Sequence, residues 1–176
     1  MTRIIAGSHR GRRLHVPSGT GTRPTSDRAR EALFSSLQSL LELDGAAVLD
    51  LYAGSGALGL EALSRGAARA TLVEDDPLAL RSLHRNVDEL GLPATVVEAT
   101  VARFLARPPT EHRLVLLDPP YDLDPDLPEL LPWLADDGVV VLERATRSGV
   151  PPVPAGLLVD RDRRYGEATL WYFRRS

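Results

Sequence analysis

From residue 46 onward the chain alternates short apolar runs with helix-patterned segments, and this rhythm restricts the fold more than any other feature. The runs are AAVLDLY, ARATLVE, ATVVE, RLVLLD (Arg113 to Asp118) and GVVVLE. Between them, helices are expected from Gly59 to Arg65, from Pro77 to Leu90 and near Asp126 to Leu134. Apolar strands that do not alternate with polar residues belong in a sheet covered on both faces, and strand–helix alternation makes that sheet parallel. Pro77 suits a first helical turn, where its missing N–H costs nothing. The rhythm then breaks. SGVPPVPAG is too proline-rich for a helix, and LLVDRDRRYGEATLWYFRR reads as two strands joined near Tyr165-Gly166. The α/β sheet therefore closes with a C-terminal hairpin and antiparallel character at one edge, unlike a purely parallel dehydrogenase half.

Upstream of the sheet, residues 1–24 are basic and broken by Gly7, Gly11, Pro17, Gly19 and Gly21, which reads as a β-rich or irregular arm. Thr25 or Ser26 then caps a helix with Asp27 in its first turn. Leu33, Leu37, Leu40 and Leu41 follow at helical spacing and bury one face to about Leu43. The expected organisation is a basic N-terminal arm, 1–24, and a single domain, 25–176; 176 residues suffice for one core.

Composition removes several classes of function. The absence of cysteine excludes a disulfide scaffold, a thiolate zinc site and a thiol nucleophile, and the four histidines have no metal spacing. No apolar run approaches the ~18 residues of a membrane span. The N-terminus lacks the apolar stretch of a signal peptide, so a cytoplasmic protein with no membrane partner is expected. The net charge of −3 hides an asymmetry: residues 1–44 hold seven of the 21 basic residues but only four of the 24 acidic ones. All the basic residues are arginine.

The first strand runs into Gly54-Ser55-Gly56-Ala57-Leu58-Gly59, the G-x-G-x-x-G spacing of a dinucleotide site. Glu74, twenty residues after Gly54 at the end of the second strand, can accept both hydroxyls of a ribose. These features establish a ribose-bearing ligand without choosing it. Asp50, just before the loop, helps to choose. A carboxylate there repels a pyrophosphate but favours the sulfonium and amino groups of S-adenosylmethionine. A plainer reading, a polar strand end held by backbone amides, stands beside it. Ala99 and Thr100 follow the third strand, where an adenine lies in such a site, although a simple strand-to-helix turn fits them as well. Asp76 reads as the cap of the Pro77 helix. The cofactor-side set is Asp50, Ala53, Gly54, Ser55, Gly56, Glu74, Asp75, Ala99, Thr100 and Asp118, with Asp75 itself reading as solvated.

The fourth strand ends in Asp118-Pro119-Pro120-Tyr121, at the crevice where open α/β sheets bind ligands. Two prolines stiffen the turn, so the Asp118 carboxylate and the Pro119 carbonyl are acceptors in fixed directions. Tyr121 adds a stacking face. Together these four residues suit an exocyclic amine on a planar ring, or an amide.

The glycine loop with Asp-Pro-Pro-Tyr resembles the amino-methylating, S-adenosylmethionine-dependent methyltransferases. With TRIIAGSHRGRRL, TRPTSDRAREALF, LDLYAGSGALGLEALSRGA and YGEATL, the chain resembles the bacterial 16S ribosomal RNA guanine-N2 methyltransferases of the RsmD type, from Thr2 to about Tyr172. That resemblance implies a Rossmann-like class I methyltransferase sheet of seven strands whose last strand is antiparallel. It implies methyl transfer to a guanine amine, with Asp118, Pro119, Pro120 and Tyr121 at the reacting base. It makes Arg3, Arg10, Arg12, Arg13 and Arg23 an RNA-binding set, and ribosomal RNA or an assembling 30S subunit the partner of a monomer. Where relatives often carry Asp or Asn toward the adenine amine, this chain has Thr100, a departure. The rival readings are an NAD(P)-dependent oxidoreductase, an amino-methyltransferase for DNA adenine or protein glutamine, and a non-catalytic RNA-binding module.

Overall fold

The computed structural model describes residues 1–18, 26–120, 123–125 and 127–176. Arg23, Thr25 and Tyr121 lie outside the described residues. The chain runs α1 (Asp27–Leu37), β1 (Ala47–Asp50), α2 (Ala57–Ser64), β2 (Arg69–Glu74), α3 (Pro77–Leu90), β3 (Ala94–Glu98), α4 (Val101–Leu105) and β4 (His112–Leu117). A 3-10 helix (Leu127–Trp133) leads to β5 (Leu134–Ala145), then β6 (Leu157–Tyr165) and β7 (Ala168–Arg175).

The seven strands form one sheet in the order β3-β2-β1-β4-β5-β7-β6. β1 to β5 are mutually parallel, and β7 is antiparallel to both β5 and β6. The path leaves β1 for β2 and β3 on one side, then returns for β4 and β5 on the other. The switch point therefore lies between β1 and β4, where open α/β sheets open a crevice at their carboxyl ends. Asp50 closes β1 there, paired in register with Leu116 of β4.

Both faces of the sheet are covered, as the unbroken apolar runs require. Val48, Leu72, Leu114, Leu116, Val139, Val141 and Tyr172 join Ile4, Leu33, Phe34 and Leu60 on one face. Their strand neighbours Leu49, Val73, Val115, Leu117, Val140, Leu142 and Phe173 pack with Phe104 and Trp133 on the other. Period-two side-chain direction thus splits each strand between two cores.

Several elements differ from the sequence expectation; β5, for one, begins four residues early, at Leu134. α1 ends at Leu37; Leu40 and Leu41 stay buried, but both their N–H groups turn back to the Leu37 carbonyl. α2 starts at Ala57, two residues early, because Gly56 adopts a left-handed conformation (φ +89°) at its cap. The segment before β5 is a 3-10 helix, consistent with Pro128 and Pro132, which lack the N–H groups an α-helix would use. α3 runs as expected, with Asp76 Oδ2 accepting from Ala79 N (2.8 Å) and left-handed Gly91 ending it.

Candidate functional site

The carboxyl ends of β2, β1 and β4, adjacent in the sheet, bring Glu74, Asp50 and the Asp118 turn to one edge. The glycine loop between β1 and α2 lies over that edge, and its amides are already committed. Gly54 N donates to Glu74 Oε2 (2.7 Å), and Glu74 Oε1 accepts from Asp75 N (2.8 Å) and Asp76 N (2.9 Å). Gly59 N donates to Asp50 Oδ2 (3.0 Å). Gly56 N donates to the Ala53 carbonyl, and Ala53 N to that of Val73. The loop and helix start therefore spend amides on two carboxylates of the protein itself.

Asp50 is 1% exposed, and its second oxygen, Oδ1, has no hydrogen-bond partner among the described residues. Burial pushes its pKa up to about 7; the Gly59 N–H opposes that shift and the nearby Glu74 charge reinforces it. Asp50 is thus both a strand end held by an amide and a carboxyl group with one oxygen unspent. Gly59 lets the helix come this close: a Cβ there would stand 2.2 Å from Leu72 Cδ2 and 3.2 Å from Asp50 Oδ2.

Where the sequence reading expected an adenine, Ala99 N donates to the Glu74 carbonyl (3.1 Å), so this N–H is already spent. Thr100 caps α4, its hydroxyl accepting from Arg103 N (3.2 Å); the hydroxyl proton is left to donate. Asp75 is exposed, and its charge helps to raise the pKa of half-buried Tyr52, mainly a burial effect. Asp118 and Pro119 are half-buried and Pro120 exposed. With Glu143 and Arg144 of β5 they line a cavity of about 10 Å³, room for about one water molecule.

Residues 1–18 of the basic N-terminal stretch fold onto the domain. Arg3 and Arg13 form an antiparallel bridge, and Ile4 and Leu14 are buried. Glu61 of α2, wholly buried, accepts from Ile5 N (2.8 Å), Ala6 N (3.0 Å) and Arg65 Nε (2.8 Å). Ser64 Oγ donates to the Ala6 carbonyl (2.6 Å) and accepts from His9 N (3.0 Å). Two arginines of the expected RNA-binding set have partners within the protein: Arg3 pairs with Asp27 (3.1 Å), and Arg12 donates to the Glu89 carbonyl (3.1 Å). The side chains of Arg10 and Arg13 are exposed and make no hydrogen bond or ion pair with the described residues.

Sequence reading missed Asn86. It lies in α3, 1% exposed, and its carboxamide joins the backbone of His15 to the carbonyl of Ser55 in the glycine loop. The available signal was an asparagine, a poor helix former, inside an otherwise well-patterned helix.

The fold defines a class: it is the Rossmann-like sheet of the class I methyltransferases. The family described as Conserved hypothetical protein 95 matches residues 2–174, and the chain belongs to it; this is the RsmD family. The chain is 41% identical to Ribosomal RNA small subunit methyltransferase D of Escherichia coli over 180 residues, covering 99% of the chain and 90% of that protein. It is 37% identical to Putative rRNA methyltransferase YlbH of Bacillus subtilis, with 93% and 94% covered. The solved structure of the putative methyltransferase yhhF from E. coli superimposes with a TM-score of 0.86 at 40% identity, covering 99% of this chain and 98% of that one. Among the described residues, no helix is long and apolar enough to cross a membrane.

Proposed function

We propose that this protein transfers a methyl group from S-adenosylmethionine to the exocyclic N2 amine of a guanine in 16S ribosomal RNA. One observation carries the choice of cofactor. The amides that a dinucleotide site offers to pyrophosphate are spent here on Glu74 and Asp50, which leaves acidic groups at the loop. That lining repels phosphate and suits a cation. Asp50 Oδ1, buried and unpartnered among the described residues, is the group expected to face the cationic end, and the lone pairs left on Glu74 the ribose. S-adenosylmethionine, when bound, supplies a methyl group already activated on a sulfonium.

The chain's own residues then have little bond-making to assist; their task is alignment. Asp118 and the Pro119 carbonyl accept the two amine hydrogens, which turns the nitrogen lone pair outward. As the nitrogen becomes positive, the same acceptors stabilise it, and the Asp118 carboxylate is placed to take the released proton. Tyr121 stacks on the base. A guanine inside a helix hides this edge, so the target is unpaired or flipped out. The partner is ribosomal RNA, free or in an assembling 30S subunit; the kinship with ribosomal RNA methyltransferases supports the RNA. The protein acts as a monomer in the cytoplasm.

The deciding experiment maps modified nucleosides of 16S RNA by mass spectrometry in cells with and without the protein. The reading expects one N2-methylguanosine to disappear in its absence. An unchanged map, or loss of a methyl elsewhere, defeats it. Calorimetry separates the oxidoreductase rival: binding of NADH without binding of S-adenosylhomocysteine would sink the cofactor assignment.

A further inference from the structure

The polar capacity of Asn86 is divided between two parts of the molecule to which different ligands are assigned above. Its Oδ1 accepts from His15 N (2.7 Å), and its Nδ2 donates to the His15 carbonyl (2.9 Å). This closed pair holds residue 15 as a neighbouring strand would. The other Nδ2 hydrogen goes to the Ser55 carbonyl (2.8 Å), inside the glycine loop.

The Ser55–Gly56 peptide is thereby fixed at both ends, its carbonyl by Asn86 and its N–H by the Ala53 carbonyl (2.8 Å). The flanking glycines, Gly54 at φ +57° and Gly56 at φ +89°, lack the side chains that usually limit rotation. The Asn86 bond is therefore a main restraint on how this peptide faces the ligand. On the other side, the N-terminal segment follows the end of α3. Arg12 donates to the Glu89 carbonyl and His9 Nε2 to that of Leu90 (2.9 Å), both otherwise orphaned at a helix C-terminus.

We infer that Asn86 is a positioning residue coupling the N-terminal segment to the glycine loop, so that RNA on the segment and cofactor in the loop strengthen each other's binding. This rests on the functional reading above. A ligand on the segment restrains His15, which restrains the Asn86 carboxamide and through it the loop peptide. Linkage makes the effect reciprocal and equal in both directions.

The test measures binding of labelled S-adenosylhomocysteine by equilibrium dialysis, alone and with saturating protein-free 16S RNA or unmethylated 30S subunits. The wild type is expected to bind it about fivefold or more tightly with at least one of the two RNA forms. In Asn86→Ala that ratio falls to about one, and affinity in the absence of RNA falls as well. Asn86→Asp keeps the acceptor for His15 N but loses the donors to the His15 and Ser55 carbonyls, and serves where the alanine variant does not fold; the same collapse of the ratio is expected. Thermal unfolding separates a bystander role, because a merely structural asparagine lowers the melting temperature and leaves the ratio intact. A wild-type ratio of one with both RNA forms, or an equal ratio in wild type and folded variant, overturns the inference. Failure of the wild type to bind S-adenosylhomocysteine at all would instead refute the functional reading.

Discussion

The N–H of Gly59 meets Oδ2 of Asp50 at 3.0 Å, so the start of α2 is closed by a carboxyl group from the strand that precedes it. Anions are welcome at a helix N-terminus, where unpaired amides gather. Here the protein supplies the anion itself, and the carboxyl is buried deeply enough to lift its pKa to about 7.

Asp50 should make both stability and cofactor affinity depend on pH, in opposite directions. Its folded pKa lies above the ordinary 3.8, so between those values the folded state holds a proton that the unfolded state has lost. Its contribution to stability is therefore greatest below pH 4 and declines as pH rises toward 7. The cationic cofactor binds best to the ionised carboxylate, so its affinity rises by up to about tenfold per pH unit below 7 and levels off above. Calorimetry with S-adenosylmethionine at pH 6, 7 and 8 reads this directly. Asp50→Asn should abolish the slope; a variant that keeps it would show that another group titrates.

Gly59→Ala should destabilise the protein, against the usual helix preference for alanine. Propensity favours the change by about 1 kcal/mol. The added Cβ, however, would sit 2.2 Å from Leu72 Cδ2, and Leu72 is fully buried in β2. Overpacking of this kind costs about 1–3 kcal/mol, so the melting temperature should fall by several degrees. Leu72→Ala alone should cost about 2–5 kcal/mol. In that background Gly59→Ala should become neutral or stabilising, which a double-mutant cycle detects. Equal effects in both backgrounds would place the strain elsewhere.

Most of what builds this site can be read locally, and what cannot depends on distant partners. Asp76-Pro77 and Gly91 bracket α3 because capping and left-handed termination act within a few residues. Glu74 and Asp118 stand where strand ends predict them. The packing of residues 1–18 was not legible: Ile4 and Leu14 are two apolar residues in a polar, glycine-broken stretch. Their anchors, Glu61, Ser64 and Asn86, lie more than fifty residues away and look like ordinary helix residues. The glycine loop was legible in part. Its spacing matched a dinucleotide site; the reading of Asp50 as held by a backbone amide agrees with the fold, while the Glu74 bond to Gly54 N was not foreseen.

Glu61→Ala should release the N-terminal segment. The carboxylate is fully buried and accepts from two segment amides and from Arg65. Removing one member of such a buried pair costs about 3–5 kcal/mol; Arg65 retains its contact with Glu31 (3.0 Å), so the lower end is expected. A fall of roughly 6–12 °C in melting temperature follows for a chain of this size. Trypsin should also cut at Arg10, Arg12 and Arg13 faster than in the wild type. Unchanged cleavage would mean that Ser64 and Asn86 suffice to hold the segment.

Arg10 and Arg13 should carry most of the electrostatic part of RNA binding on this face. Arg3 is paired with Asp27, and Arg12 is tied to the end of α3, so their charges are partly spent inside the protein. The side chains of Arg10 and Arg13 project from the bridged turn into solvent, free of partners among the described residues. Each phosphate contact contributes about 0.7 to the slope of log affinity against log salt on single-stranded RNA. The double variant Arg10→Ala, Arg13→Ala should therefore flatten that slope by about 1.4. Because neither residue packs against the core, its melting temperature should stay within about 1 °C of wild type. Arg3→Ala should lower the slope by much less. Filter binding of 16S RNA between 50 and 300 mM salt distinguishes these outcomes; a double variant with the wild-type slope would move the RNA path away from this segment.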